Sequence, residues 1–427
     1  MRKHIRRSRR SLFSIRAWKI RLVFWLGAVL VGLVCVLFAE LAEKANHLFL
    51  MMAAYNPYLP LIITPTALML ITWLTIRFFP GSQGSGIPQA IAALELRKKS
   101  AVLSMKIAIG KVLLTVMGLA AGASIGREGP SVHIGASIMH ALSKLARFPA
   151  HYHEKGLILA GGAAGVAAAF NTPLAGIVFA IEEMNRNAEG RLNGLITIGV
   201  VMAGVTAMAI QGNYVYFGQS DAQLAGAETW YAVVLCGVIG GALGGLFANA
   251  LIYGSRWLKP FAGSKPMVLA FIAGLSLAIV AFISDYSASG TGYIEARGIM
   301  TGSSEFDPWY PINKMLATLA SYLSGIPGGI FAPSLATGAG IGADLGHWLP
   351  VAPLSTMILL GMLAYFCGVV QAPLTAFVIV MEMTATSDMT LALIATAFIA
   401  RGASHLVCPR PLYRSLAEAF LGQNNAR

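Results

Sequence analysis

Six stretches of the chain are apolar over lengths suited to crossing a lipid bilayer: 22–39, 59–79, 192–211, 229–253, 267–284 and 387–400. A spanning helix needs roughly 20 mostly apolar residues, because in hydrocarbon each backbone N–H and C=O must find its partner within the segment. Six is a floor. Shorter apolar stretches lie between them, at 107–125, 131–143, 157–170, 174–181, 330–346, 355–370 and 374–381, each interrupted by Gly, Pro or Glu. These read as too short or too broken for simple spans. With 56% hydrophobic and only 11% charged residues, the chain lacks the composition of a water-soluble surface. The expectation is an all-α polytopic membrane protein.

The net charge of +13 does not imply a nucleic-acid partner, because nine of the 31 Lys and Arg fall within the first 21 residues, ahead of the first apolar run. Basic residues flanking a first span mark the cytoplasmic side, so the N-terminus is expected there. A cleaved signal peptide fits less well, since the run from Leu22 to Phe38 exceeds a signal core of roughly 7–15 residues. The tract is also compatible with contact to anionic lipid. Cys35, Cys236, Cys367 and Cys408 are scattered without a C-x-x-C pair, and read as small buried hydrophobes. "HYHEK" (151–155) has the wrong letter order for a helix-borne zinc site, and no other metal or nucleophile–base constellation supports an enzyme.

Internal repetition says more. "GREGPSVHIGA" (126–136) aligns without a gap on "GIFAPSLATGA" (329–339), sharing Gly, Pro, Ser, Gly and Ala. "NTPLAGIVFAIEEM" (171–184) aligns on "QAPLTAFVIVMEMT" (371–384), pairing Pro173 with Pro373, Leu174 with Leu374, Val178 with Val378 and Glu182 with Glu382. The offsets, 203 and 200, are nearly equal and predict two related halves with broken helices in corresponding places, a pattern of secondary transporters. These matches leave open whether the halves are parallel or inverted.

Each G-x-x-x-P element resembles a helix start: Gly permits a sharp turn, and Pro is tolerated in a first turn where its missing N–H had no partner. "GSGIP" (84–88) has the same character. Helices that begin inside a bilayer leave free N–H groups and the positive ends of their dipoles there, and several converging ends make an anion site without a buried Lys or Arg.

The differences between the halves carry chemistry. Glu128 is answered by Phe331 and Glu183 by Met383, whereas Glu182 recurs as Glu382. Repeated glutamates are therefore expected to satisfy helix ends, and the unrepeated ones to serve a function needed once. An ionisable residue inside a membrane segment is a functional candidate by default. Structural pairing of Glu128 with Arg127 is the alternative, and a scaffold salt bridge is the expectation for Arg127. For Glu183 the residues alone favour neither reading. An ionised Glu128 at a helix start is itself an anion; protonation would release it from a site a transported anion needs.

"GSGIP" (84–88), "GREGP" (126–130), "GGIFAP" (328–333) and "PLYRSL" (411–416), in this order, resemble the CLC family of chloride channels and chloride/proton antiporters over nearly the whole chain. The resemblance implies a homodimer with one anion pathway per subunit and a fold of two inverted-topology repeats with broken and tilted helices. It divides the chain into a basic cytoplasmic segment (1–21), a first membrane half (22–211), a second (212–416) and a short cytoplasmic tail (417–427), in the inner membrane of a bacterium. By resemblance, the hydroxyls of Ser85 and Tyr413 and the backbone N–H groups of Ile330 and Phe331 bind chloride. Glu128 resembles the external gating glutamate, and Glu183 the internal glutamate that passes protons to it. Ser85 favours chloride, since nitrate-exchanging relatives tend to have Pro there. No metal or other cofactor is implied, and chloride and protons are the transported partners.

Two departures stand out. Some antiporter relatives place acids just after the "GSGIP" proline, where this chain has Gln89 and Ile91. The chain also ends soon after Tyr413, so regulation by paired nucleotide-binding C-terminal domains is not expected. The expected activity is chloride/proton antiport; a passive chloride channel of the same fold is the alternative, and a membrane-embedded enzyme the rival from another class.

Overall fold

The computed structural model describes residues 15–96, 99–145, 154–184, 193–212, 214–223, 226 and 229–425. Most of the basic N-terminal tract and residues 151–153 of "HYHEK" lie outside the described residues. Seventeen α-helices occur among those described, with no strand beyond isolated bridges. The first half comprises α1 (Ile15–Tyr55), α2 (Leu59–Phe78), α3 (Ile87–Glu95), α4 (Met105–Ala120), α5 (Glu128–Leu145), α6 (Glu154–Phe170), α7 (Pro173–Phe179) and α8 (Asn193–Gln211). The second comprises α9 (Thr229–Ser264), α10 (Pro266–Ile283), α11 (Tyr293–Thr301), α12 (Tyr310–Leu323), α13 (Phe331–Trp348), α14 (Leu354–Val370), α15 (Pro373–Thr384), α16 (Thr390–Val407) and α17 (Leu412–Asn425).

Among the described residues six helices are long and apolar enough to cross a membrane. One of them corrects the sequence reading: the stretch taken as broken at 107–125 forms α4, which keeps Lys111 in its middle, fully buried. The Lys111 ammonium donates to the carbonyls of Ser82 (2.7 Å) and Gly84 (2.9 Å), with Gln83 at 3.5 Å. A charge so satisfied does not break a helix.

The repeat extends well beyond the aligned motifs. Residue 111 plus the offset of 203 is 314, and buried Lys314 on α12 donates to the carbonyls of Ala288, Ser289 and Gly290 at 3.1, 2.8 and 3.0 Å. Each lysine thus holds the loop that precedes a nine-residue helix, α3 or α11. Those loops match in conformation, with φ of +69° and +104° at Gly84 and Gly86 and of +63° and +77° at Gly290 and Gly292. Packing follows the same plan: α5 lies on α6 as α13 lies on α14, and α1 contacts α6 and α8 as α9 contacts α14 and α16. In the first pair a Cβ on Gly135 would meet the Gly161 carbonyl at 2.1 Å, so glycine is required for the two backbones to touch.

The halves are inverted. The N-terminal end of α10 borders the α3 loop, since Pro266 and Leu269 share a cavity with Gly81 and Gln83. Its C-terminal end leads into the α11 loop, where the Tyr286 hydroxyl donates to the Pro57 carbonyl just beyond α1. Equivalent loops therefore sit at opposite ends of one helix, and equivalent elements face opposite sides of the bilayer.

Reciprocal contacts join the halves. Gly126 N–H donates to Gly329 O and Gly329 N–H to Gly126 O, both at 2.7 Å. The Glu382 carboxylate accepts from the N–H groups of Leu174 (3.1 Å) and Ala175 (2.7 Å) at the start of α7, and Glu182 accepts from Leu374 (3.2 Å) and Thr375 (2.6 Å) at the start of α15. The repeated glutamates do satisfy helix ends, each capping the other half's helix. Charge-assisted bonds of this kind contribute about 1.5–3 kcal/mol each. Allowing for partial exposure, Glu382→Ala or Glu182→Ala is expected to cost about 3 kcal/mol. Thermal unfolding in detergent checks this, and unchanged midpoints in both variants would show that the exchange contributes nothing.

Candidate functional site

Four loops and helix starts converge where the halves meet. The Gly84 N–H donates to Ile326 O (3.1 Å) and the Gly328 N–H to Gly84 O (3.2 Å), which together with the Gly126–Gly329 pair draws the starts of α3, α5 and α13 to one place. Ser85 stands between Gly84 and Gly86, whose positive φ values place the Ser85 side chain against the first turn of α5. A Cβ on Gly129 would stand 2.2 Å from Ser85 Oγ, so only glycine allows this approach. Ile330 immediately precedes α13 and Phe331 opens it, where N–H groups have no intrahelical acceptor.

Tyr413, the second residue of α17, is fully buried beside Ser85, its ring 5.7 Å from that of Phe331. Phe331 also contacts the rings of Phe170, Phe179 and Phe366, which fixes this wall of the site. Glu128 opens α5 as Phe331 opens α13, the pairing read from the repeat. Its carboxylate folds back over the turn: a Cβ on Gly126 would meet Oε2 at 2.2 Å and Pro333 Cδ at 3.3 Å. Both oxygens lie near the N–H groups of Glu128, Ala332 and Arg127, without a well-formed hydrogen bond to any of them.

Ser85 Oγ and Tyr413 Oη lie close to one another without a well-formed hydrogen bond, and neither they nor the Glu128 carboxylate oxygens have another hydrogen-bond partner among the described residues. A buried polar group left unpaired costs about 1–3 kcal/mol, so the two hydroxyls and the free N–H groups of the converging helix starts suit a small ion that accepts from them together, while the Glu128 carboxylate, itself an acceptor, stands as a rival to that ion. The donors are hydroxyls and amides, which suit an anion. Among the described residues no three His, Cys, Asp or Glu side chains are grouped to hold a metal.

Two cavities approach this cluster from opposite sides. One, of about 170 Å³, is lined by Ser85, Gln89, Ser255 and Tyr322 on the side of the α10 N-terminus. The other, of about 380 Å³, is lined by Arg127 with Glu43, Asn46, Tyr214, Tyr216 and Thr291. Glu128 and Tyr413, both fully buried, stand between them. Glu183 lies in the π-helical turn Ala180–Met184 that ends the α7 segment, 5% exposed. Tyr413 is within electrostatic reach of both Glu183 and Glu128.

Arg127 departs from expectation. Among the described residues no carboxylate forms a salt bridge with it; its guanidinium lies over the Tyr216 ring, 5.9 Å from the centroid. It presents positive charge to the larger cavity, directly before Glu128. Gln89, in place of an acid, folds back to donate to Gln83 O at 2.6 Å and braces the loop carrying Ser85. Sequence reasoning missed Lys111 and Lys314, although the repeat offset of 203 already superposes them.

These features define a polytopic helical membrane protein whose inverted halves enclose a buried polar cluster between opposed cavities. The chain belongs to the voltage gated chloride channel family, whose model matches residues 67–405. It is 32% identical over 391 residues to the H(+)/Cl(-) exchange transporter ClcA of Yersinia pestis bv. Antiqua (strain Angola), covering 86% of this chain and 80% of the relative. To the transporter of the same name from Salmonella paratyphi A (strain ATCC 9150 / SARB42) it is 29% identical, covering 90% and 83%. Among solved structures, a slow cyanobacterial Cl-/H+ antiporter superposes with a TM-score of 0.81 at 25% identity, covering 94% of this chain and 99% of that one. A CLC-type fluoride/proton antiporter superposes at 0.80 with 20% identity and equal coverage, a likeness of fold. Family membership removes the membrane-enzyme alternative.

Proposed function

We infer that the protein exchanges chloride for protons across the membrane. The observation that carries this reading is the burial of Glu128 between the opposed cavities, at helix starts that also present Ser85, Tyr413 and the N–H groups of Ile330 and Phe331. Chloride accepts hydrogen bonds from the two hydroxyls and the two amides, held by fixed dipoles. The ionised Glu128 carboxylate competes for the same field. Proton uptake from the Arg127 side neutralises it, frees the position for chloride and loads a proton for transfer towards Glu183. The names of the Yersinia and Salmonella relatives, both H(+)/Cl(-) exchange transporters, support the same reading.

Glu183, buried beyond Tyr413, favours exchange over passive conduction, because a channel has no need of a second protonatable group on the far side of the gate. Glu183→Gln is expected to keep chloride flux and lose proton flux in reconstituted liposomes. Intact coupling in that variant would show that protons travel elsewhere. The wild-type reversal potential under combined chloride and pH gradients tests the function itself: displacement from the chloride equilibrium potential means exchange, and coincidence with it means a channel.

The active form is a homodimer in a bacterial inner membrane with both termini cytoplasmic. The two copies pair through the apolar, exposed face along α7, α8, α15 and α16, which includes Leu174, Val201, Val205, Leu374, Leu391 and Phe398. The Glu182–Glu382 exchange lies in this same group of helices and stiffens it.

A further inference from the structure

A further cavity, of about 410 Å³, lies between α11, the 302–309 loop and the start of α12, closed by α13 and α14. It shares no lining residue with the two cavities that approach the transport site. Its size falls within the roughly 300–1,000 Å³ of small-molecule sites. Its chemistry is unusual for a chain of net charge +13: Glu295, Glu305 and Asp307 all line it. Among the described residues none of the three forms a salt bridge. Lys314 is near Glu295, but its ammonium already serves the three carbonyls of residues 288–290.

An independent observation comes from Tyr310. This side chain lines the cavity, is 4% exposed, and its hydroxyl has no hydrogen-bond partner. In the same lining, the Phe306 and His347 rings stack at 3.9 Å, Phe306 standing between Glu305 and Asp307 in the loop. His347 Nδ1 donates to Ala343 O at 2.8 Å, which leaves Nε2 of the neutral ring as an acceptor. The lining is thus rich in acceptors and negative charge, with aromatic surface beside it. An ammonium group offers three donors and no acceptor, and is drawn to ring faces as well as to carboxylates. A bare divalent metal does not fit, since no three carboxylate or imidazole groups among the described residues are grouped around one point. Separated carboxylates match separated positive charges.

We propose that this cavity is a binding site for a small organic dication of the diamine class, distinct from the chloride and proton pathway. Titration calorimetry on the purified full-length protein, at fixed chloride concentration and ionic strength, tests it with 1,4-diaminobutane, and with butylamine as the single-charge comparison. Saturable binding of one diamine per chain is expected, weakened about tenfold or more in Glu295→Gln and in Glu305→Gln/Asp307→Asn. Tyr310→Phe should weaken it to a lesser degree. The loop double variant alters only exposed side chains, so its fold is preserved if the buried variant fails to express. Absence of saturable heat, equal affinity for butylamine, wild-type affinity in the carboxylate variants, or displacement by equimolar magnesium would each overturn the assignment.

Discussion

A Glu128→Gln variant is expected to carry chloride down its gradient and to move no protons. The carboxamide keeps the size of the glutamate and stays neutral at every pH, so it mimics the protonated side chain throughout the cycle. A neutral side chain loses the attraction of a carboxylate for the helix starts around it. One helix dipole contributes about 0.3–1 kcal/mol at exposed sites and up to about 2 when partly buried, and Glu128 lies at two such starts. Without that attraction the side chain no longer rivals chloride for the position. Glu128→Ala should behave alike, since removal of the side chain also removes the competitor and the proton carrier. In liposomes with opposed gradients, both variants should reverse at the chloride equilibrium potential while the wild type does not. Proton-driven chloride uptake at the wild-type rate in both would remove Glu128 from the gate.

Much of this arrangement was legible in the letters, because short motifs at helix starts must keep Gly and Pro wherever the backbone turns sharply in the membrane. The two offsets, 203 and 200, announced two halves, and the recurrence of Glu182 as Glu382 marked those carboxylates as end-satisfying groups. That each caps the other half's helix was not legible, since a repeat does not state which helix end faces which carboxylate. Orientation was hidden in the repeat itself, since identical motifs arise from parallel and inverted repeats; the family resemblance implied inversion, and the two ends of α10 bear it out. Arg127 was misread because its partner, Tyr216, sits in an irregular segment without a motif. The span α4 was misread because Gly110, Gly118 and Gly122 read as interruptions of its apolar run, which also carries the charge of Lys111. Backbone carbonyls satisfy that charge, and hydropathy has no means of registering them.

Lys111 is also where the largest loss of stability is expected. Lys111→Met keeps the length of the stem in the apolar helix but removes the ammonium from the Ser82 and Gly84 carbonyls. Each buried carbonyl deprived of its donor costs about 1–3 kcal/mol, and a charge-assisted bond lies at the upper end, so a total near 4 kcal/mol is expected. The loop that loses its anchor carries Ser85, is braced by Gln89 of α3 and pairs with Gly328 in the other half. Chloride affinity should therefore fall together with the thermal midpoint. Lys314→Met should destabilise the protein to a similar extent, since it strips the same donors from residues 288–290. That loop leads to Thr291 and the Arg127 cavity rather than to Ser85, so chloride affinity should be largely kept. Thermal unfolding and chloride titration of both variants separate the two effects. If Lys111→Met left chloride affinity intact while lowering the midpoint, the lysine would brace the fold without setting the position of Ser85.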